Sequence, residues 1–346
     1  MRKLVFAIIF ALSLAVPASA LEITPPEVPP SGQNLMPEDT SSFPDAIVQL
    51  LRHAFRNLYP DLSEASRISI TILCYALIIS ILYIFSSPSK TAMEISAVVI
   101  IASSLLQSTG SLIRLGANTV QTLSEYGKLL LPVMTTALAA QGAPVTSAAL
   151  YAGTAVFDTL LGSLISNLLV PLVYVFLILA TGHSALHMDI LKKMRDFAKW
   201  AIGWMLKILL TIFTTYISIT GVVSGTTDAV TLKATKITIS SFVPVVGGIL
   251  SDASEAILVS AGLMKNAAGI YGILAILAVF LSPFLKISIH YAVLKVTAAL
   301  TGLFAPKVIC DLIEDFSSAM GFLLAMTSAA CLLLLISTIC FLKGAT

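Results

Sequence analysis

Long runs of apolar residues recur along this chain, and they constrain its fold more than any other feature. The clearest run covers residues 68–85. Comparable runs occupy residues 95–113, 200–223, 269–284, 287–304 and 320–342. A helix needs about 20 apolar residues to cross the hydrocarbon core of a bilayer. The alternation of apolar and polar residues found in barrel strands is missing, so helices are expected to span the membrane. The sequence therefore predicts an all-α, polytopic membrane protein.

The charge content excludes most other classes of protein. Only 11% of the 346 residues are charged and 57% are hydrophobic, whereas a soluble domain has about 25% charged residues. An ordinary soluble enzyme and a disordered chain are therefore excluded. The net charge of +2 is too small and too scattered to follow a phosphate backbone. The lipid bilayer is thus an expected partner, and nucleic acid is not.

Two apolar stretches leave the number of crossings open. Residues 129–140 are too few to span a bilayer and indicate a half-span or a broken helix. Residues 145–180 suffice for two crossings or for one long bent helix, and Asn167 and Pro171 interrupt them. One or three crossings between residues 114 and 182 are both compatible with the pattern. We expect six to eight crossings in total, with some broken, re-entrant or amphipathic helices.

The N-terminus has the three regions of an export signal in order. Residues 1–3 carry two positive charges, residues 4–16 are apolar, and the small residues Ala18, Ser19 and Ala20 follow Pro17. This pattern predicts a signal peptide over residues 1–20 that is cleaved after Ala20. An uncleaved N-terminal anchor is the alternative.

Residues 21–67 differ from the rest of the chain in composition. They contain seven acidic residues, three basic residues and a proline-rich start, which predicts an extended extracytoplasmic tether. From Pro44 onward, apolar residues at helical spacing form one face. These are Ile47, Leu50, Leu51, Phe55 and Leu58. This face is expected to rest on the membrane surface or on a partner, and residues 68–346 are expected to form the membrane domain.

Basic residues predict the orientation of the membrane domain. The densest cluster contains Lys192, Lys193, Arg195 and Lys199, and short cytoplasmic loops retain such residues. The same segment is amphipathic, so it is expected to lie on anionic lipid or to dock a cytoplasmic partner. Counting crossings from this cluster places Lys286 and the C-terminus at Thr346 in the cytoplasm.

Four segments in the C-terminal half carry a family resemblance. Residues 240–253 read SSFVPVVGGILSDA, residues 263–266 read LMKN with Gly269 following, residues 283–286 read PFLK, and residues 295–300 read KVTAAL. These segments resemble a signature of the stage III sporulation protein AE family. The export signal, the length and the late apolar runs also match that family.

The resemblance implies a role in endospore-forming Firmicutes. It implies a multi-pass subunit, in the mother-cell membrane surrounding the forespore, of the channel-like complex that joins the two cells. The implied partners are other proteins of the stage III sporulation A operon, including a secretion-type ATPase and ring-forming subunits, and a forespore membrane protein. The implied role is support of forespore development and of late, sigma-G-dependent transcription.

Residues 233–266 are the candidate segment for packing, partner binding or pore lining. The apolar stretch 237–250 is too short to span a bilayer. It is expected to form either an amphipathic hairpin on the outer surface or a re-entrant pair of half-helices inside the domain. The residues singled out here are Pro244, Gly247, Gly248, Asp252, Lys265 and Asn266.

Three charged residues fall within apolar runs: Asp158, Lys207 and Lys295. Each costs about 2.5–3.5 kcal/mol at the bilayer centre on insertion scales. A structural pair of Asp158 with Lys207 or with Lys295 would offset that cost. Lining of a polar conduit and snorkelling to the interface are the alternatives.

No catalytic or cofactor-binding site is predicted. Cys74, Cys310, Cys331 and Cys340 form no C-x-x-C pair and are expected to be small buried hydrophobes. His183, His187 and Asp189 have a spacing that suits a metal, but no further well-placed ligand is evident. The Gly-x-Ser-x-Gly, Walker and H-E-x-x-H patterns are absent from the sequence. A non-enzymatic complex subunit is therefore expected, with a stand-alone secondary transporter as the alternative.

Overall fold

The computed structural model describes residues 25–37, 43–56, 58–85, 90–242 and 247–343, without the side chains of residues 84–85, 90–91, 218–242 and 247–265. Every regular element in these ranges is helical, which confirms the predicted class. The helices are α1 (Pro30–Gln33), α2 (Phe43–Arg56), α3 (Leu58–Phe85), α4 (Lys90–Ala140), α5 (Pro144–Leu164), α6 (Val170–Leu186), α7 (Asp189–Phe242), α8 (Gly247–Thr301) and α9 (Lys307–Lys343). The predicted signal peptide lies outside the described residues.

Six helical segments of the described chain are long and apolar enough to cross a membrane. They are Phe43–Tyr83, Ala92–Ala140, Pro144–Leu186, Asp189–Ile217, Asn266–Thr301 and Lys307–Lys343. This number confirms the polytopic architecture at the lower end of the expected six to eight crossings.

The stretch between residues 114 and 182 contributes one full crossing. Residues 129–140, expected as a half-span, continue α4 through Pro132 without a break. Residues 145–180 form one long helical segment, in which a π-helical turn, Ile165–Leu169, joins α5 to α6 just before Pro171. A proline ring clashes with the carbonyl four residues earlier in a regular α-helix, and the wider π-turn relieves that contact.

The predicted crossings 269–284 and 287–304 are a single helix, so the separate-span expectation is wrong. Helix α8 continues through Pro283 to Thr301. Lys286 lies within it, and its Nζ is 3.2 Å from Asp61 Oδ1 and 2.8 Å from Glu64 Oε2 on α3. Because these two carboxylates balance the lysine charge, the chain needs no turn to bring that charge into water.

The unbroken α8 also corrects the predicted position of the C-terminus. Arg195 Nη1 is 2.8 Å from Asp315 Oδ2, so α7 and α9 begin at the same end of the bundle. At the other end, Gly269 of α8 packs against Leu342 of α9. Lys343 therefore lies at the end opposite Lys192, which differs from the expectation that Lys192 and the C-terminus share the cytoplasmic side. Thr346 itself lies outside the described residues.

Cysteine labelling in a cysteine-free background tests this arrangement. Single cysteines at Lys192 and Lys307 are expected to be protected from an impermeant reagent applied to whole cells, because basic ends stay in the cytoplasm. A cysteine at Lys343 is expected to react. Equal reactivity at Lys192 and Lys343 would contradict the three crossings, an odd number, that α7, α8 and α9 make between these two residues.

The N-terminal region packs on α8 of the same chain. Val28 and Leu35 are buried, and Gly32 lies against Val279 so closely that a methyl group at Gly32 would be 2.9 Å from Val279 Cγ2. Residues 25–37 are thus docked rather than extended away as a tether. In this part of the chain, the short helix α1 and its contacts with α8 replace the expected free polyproline conformation.

Helix α2 is amphipathic, and it rests on α8. Its buried side is the stripe Ala46, Leu50 and Ala54, of which Leu50 and Ala54 share a cluster with Ala278. Leu51 and Phe55, which were expected on the supporting face, are exposed. Ala46 and Ala54 lie two helical turns apart, on either side of Leu50. Their small side chains allow a close approach, which explains why the buried stripe is narrower than the sequence indicated.

Candidate functional site

The most buried carboxyl group among the candidate residues is that of Asp158 on α5. Its residue is 4% exposed, and the Oγ of Ser124 on α4 donates a hydrogen bond to its Oδ2 at 2.8 Å. A polar group buried in apolar surroundings is costly unless it has such a partner. The bond therefore ties α5 to α4 at this depth.

Helix α5 makes polar contacts with two further helices. One turn before Asp158, Thr154 Oγ1 donates to Ser337 Oγ of α9 at 3.0 Å. On the α7 side, the Tyr216 hydroxyl donates to the carbonyl of Ala149 at 2.9 Å. The Tyr216 ring fits against Gly153, where any Cβ would overlap it. Small residues and interhelical hydrogen bonds of this kind hold membrane helices together.

The ion pairs expected for Asp158 are wrong. Lys207 is exposed on α7, and no ion pair links it to Asp158 within the described residues. Lys295 Nζ instead lies 2.8 Å from Glu314 Oε1 on α9. Asp158 is thus a hydrogen-bonded carboxyl group, and the two lysines lie away from it because each can reach the bundle surface.

Substitutions of Asp158 separate a packing role from proton transfer. Asp158→Asn keeps an oxygen that accepts the bond from Ser124, so sporulation efficiency is expected to stay near that of wild type. Asp158→Leu leaves the Ser124 hydroxyl without its partner, at a cost of about 1–3 kcal/mol, and Asp158→Lys adds a buried charge. Sporulation is counted at matched protein levels; loss with Asn equal to that with Leu would indicate a proton carrier.

A charged cluster stands at the end of the bundle that contains Lys192. It consists of Arg195, Asp315, Lys295 and Glu314, called here the charged end cluster. Arg195 donates to Asp315 and also to Asp196, both at 2.8 Å. Asp315 is buried, so this bond is a nearly enclosed link between α7 and α9.

The ion pair of Asp315 with Arg195 was not predicted from the sequence. Arg195 was instead predicted to belong to a surface cluster. The available signal was the group Asp311, Glu314 and Asp315, which directly precedes the last apolar run. These acidic residues precede the apolar run of α9, just as the basic residues precede the apolar run of α7. The two groups have opposite charge and could therefore pair.

A row of polar contacts, called here the polar seam, runs between α3 and the C-terminal part of α8. It includes the contacts of Lys286 with Asp61 and Glu64, and the hydroxyls of Ser69 and Thr297, which are hydrogen-bonded to each other. Ser80 Oγ donates to the carbonyl of Phe304 at 2.9 Å. Sequence reasoning placed Asp61 and Glu64 in the tether, so this seam was not anticipated.

His183 and His187, whose spacing could suit a metal, lie at the C-terminal end of α6. Helix α6 ends at Leu186, and His187 adopts a left-handed backbone with φ 54°. His187 Nε2 is 3.7 Å from Glu94 Oε2, and His183 Nδ1 is 3.3 Å from the Met188 carbonyl oxygen. Within the described ranges, no group of three or more His, Cys, Asp or Glu residues could hold a metal ion.

The four cysteines form no disulfide bond and differ in burial. Cys331 is buried and Cys310 and Cys340 are partly buried, as expected for small hydrophobes. Cys74 is exposed on α3, which differs from the expectation. It lines an apolar groove with Leu300 and Phe304 near the end of α8.

The candidate segment 233–266 lies where α7 ends and α8 begins. Pro244 falls outside the described residues. Gly247, Gly248, Asp252 and Lys265 lie on the α8 backbone, in the part whose side chains are not described, and Asn266 is exposed. Helix α8 begins at Gly247, four residues before the start indicated by Ser251 and Asp252. The surface hairpin and the re-entrant pair both stay predictions.

Comparisons with known proteins agree with the family resemblance. The family model of stage III sporulation protein AE matches residues 33–345. The stage III sporulation protein AE of Bacillus subtilis (strain 168) is 26% identical over 215 residues, which are 62% of this chain and 54% of that relative. The match thus spans about half the length of the curated relative. No solved structure matches the chain. Because the family model covers all helices from α2 to α9, this chain belongs to the stage III sporulation protein AE family.

Proposed function

We propose that this chain is a non-enzymatic integral membrane subunit of the channel complex that connects mother cell and forespore. Membership of the stage III sporulation protein AE family is the observation that carries the proposal. Six apolar helices are consistent with an integral membrane subunit. The proposed location is the mother-cell membrane surrounding the forespore.

The polar contacts of the bundle support a packing role over a catalytic one. Asp158, Thr154 and Tyr216 each bond to a neighbouring helix. The sequence has no Walker loop, so an ATP-driven step would come from a partner. The proposed partners are a secretion-type ATPase, ring-forming subunits of the same operon and a forespore membrane protein.

Depletion during sporulation tests the role directly. Cells that lose the chain after engulfment begins are expected to form forespores that fail to activate a late, sigma-G-dependent reporter. Expression of the full chain from a second locus is the control and is expected to restore the reporter. Normal reporter activity in depleted cells would contradict the proposal.

We also propose that residues 233–266 contact a partner or line the pore. The paired glycines 247 and 248 permit a close approach that a larger side chain would block. Gly248→Leu is therefore expected to abolish complex assembly while the protein still accumulates in the membrane. Gly203→Leu is the matched control, because nothing lies within 4 Å of a Cβ at Gly203. Wild-type sporulation with Gly248→Leu would make the segment a surface hairpin.

A further inference from the structure

An apolar groove runs between α6 and α7 on the outside of the bundle. Its walls are Leu172, Val175 and Leu179 of α6 and Ile190, Met194 and Phe197 of α7. We call it the α6–α7 groove. It opens beside the turn that joins the two helices, at the end of the molecule where the charged end cluster lies.

Lys193 also lines this groove, and its charge is not balanced by the described part of the chain. Arg195, two residues later, is engaged by Asp196 and Asp315, and Lys295 is engaged by Glu314. No described carboxylate forms an ion pair with Lys193. The groove therefore combines apolar walls with one lysine that has no ion-pair partner among the described residues.

The surroundings of the groove are those of a membrane interface. Phe197, Trp200 and Trp204 form an exposed aromatic row along α7, with ring centroids 5.8 and 5.5 Å apart. Aromatic residues of this kind concentrate at the level of lipid headgroups. Phe197 belongs both to the groove and to this aromatic row, so the groove is expected to lie at the level of the lipid headgroups.

We propose that the α6–α7 groove binds one anionic phospholipid. The phosphate accepts hydrogen bonds from the Lys193 ammonium, and an acyl chain lies between the α6 and α7 walls. Charge complementarity selects this occupant over a neutral lipid, because basic pockets between membrane helices attract anionic headgroups. The inference stands apart from the proposed function, since it concerns the lipid-facing side of the bundle.

Native mass spectrometry of the full chain in detergent tests the site. The probes are phosphatidylglycerol and phosphatidylcholine with identical acyl chains, each added by titration. We expect saturable binding of one phosphatidylglycerol, preferred about fivefold over phosphatidylcholine, as one lysine near an anionic surface provides. Equal binding of the two lipids by the wild-type chain would overturn the proposal.

Two pairs of variants distinguish the groove from general attraction. Lys193→Gln is expected to remove the preference, whereas Lys192→Gln, whose residue does not line the groove, is expected to retain it. Val175→Trp fills the groove and is expected to weaken binding of both lipids. Ile178→Trp is its control, because Ile178 lies about one helical turn from Val175, is 67% exposed and does not line the groove.

Other outcomes would contradict the site. An equal loss of the preference for phosphatidylglycerol in Lys192→Gln and Lys193→Gln would mean that general surface charge, rather than the groove, attracts the lipid. Unchanged lipid binding by a folded Val175→Trp variant would show that the groove is not occupied by lipid. If that variant also failed to assemble in sporulating cells, the groove would belong to a partner protein instead. Lys193→Gln keeps the proposal testable if Val175→Trp does not fold.

Discussion

Gly153→Ala is expected to destabilise the bundle by about 2–3 kcal/mol, as overpacking of a tight interior does. A Cβ at Gly153 would overlap the ring of Tyr216. That ring has little freedom to move, because its hydroxyl bonds to the Ala149 carbonyl and its face packs against Phe157. The loss is measured as a lower temperature of unfolding in mild detergent and as lower accumulation in the membrane.

Two controls isolate the contact between Gly153 and Tyr216. Gly203→Ala gains the same helix propensity, about 1 kcal/mol, without meeting any atom. It is therefore expected to be neutral or slightly stabilising. In a Tyr216→Ala background, most of the effect of Gly153→Ala is expected to disappear. An additive double variant would show that Tyr216 does not occupy the space above Gly153.

Arg195→Ala is expected to cost about 3–5 kcal/mol, the range for removing one partner of a buried ion pair. The remaining Asp315 carboxylate is only 7% exposed, so water cannot replace the guanidinium group fully. Asp315→Ala is expected to have a smaller effect, since Arg195 retains its bonds to Asp196. Unfolding temperature and the yield of folded protein are the measurements.

A paired substitution tests the origin of that effect. Arg195→Met combined with Asp315→Leu removes both charges and is expected to be less destabilising than Arg195→Ala alone. Lys192→Ala, on the exposed side of the same helix, is expected to change stability by less than about 0.5 kcal/mol. An equal effect of Lys192→Ala and Arg195→Ala would mean that net charge, rather than the contact with Asp315, stabilises this end.

The class of fold could be predicted from the sequence, because the length of the apolar runs determines whether a helix can span a membrane. Residues 68–85 must cross a membrane or be buried, and they lie on α3 as expected. The amphipathic helix after Pro44 was also predicted, since its pattern is local. The element that supports it was not predicted, because the contact of Leu50 and Ala54 with Ala278 of α8 joins segments far apart in sequence.

Helix ends were the weakest part of the sequence analysis, for a physical reason. Pro283 and Lys286 indicate a turn when read locally, but the lysine forms ion pairs with Asp61 and Glu64 of α3, and α8 continues without a turn. The same holds for Asp158, where a serine rather than a lysine is the partner. A single hydroxyl group leaves no charge signal in a sequence, so its pairing becomes visible only in the packed helices.

Cross-linking with mass spectrometry of the tagged full chain from sporulating cells tests whether the chain is a subunit of the channel complex. We expect cross-links to the secretion-type ATPase on the side of the Lys192 end and to the ring-forming subunits on the opposite side. The Arg195→Ala variant, matched for membrane level, should lose them. Recovery of the chain without these proteins, together with solute transport by the chain alone in liposomes, would contradict membership of the complex.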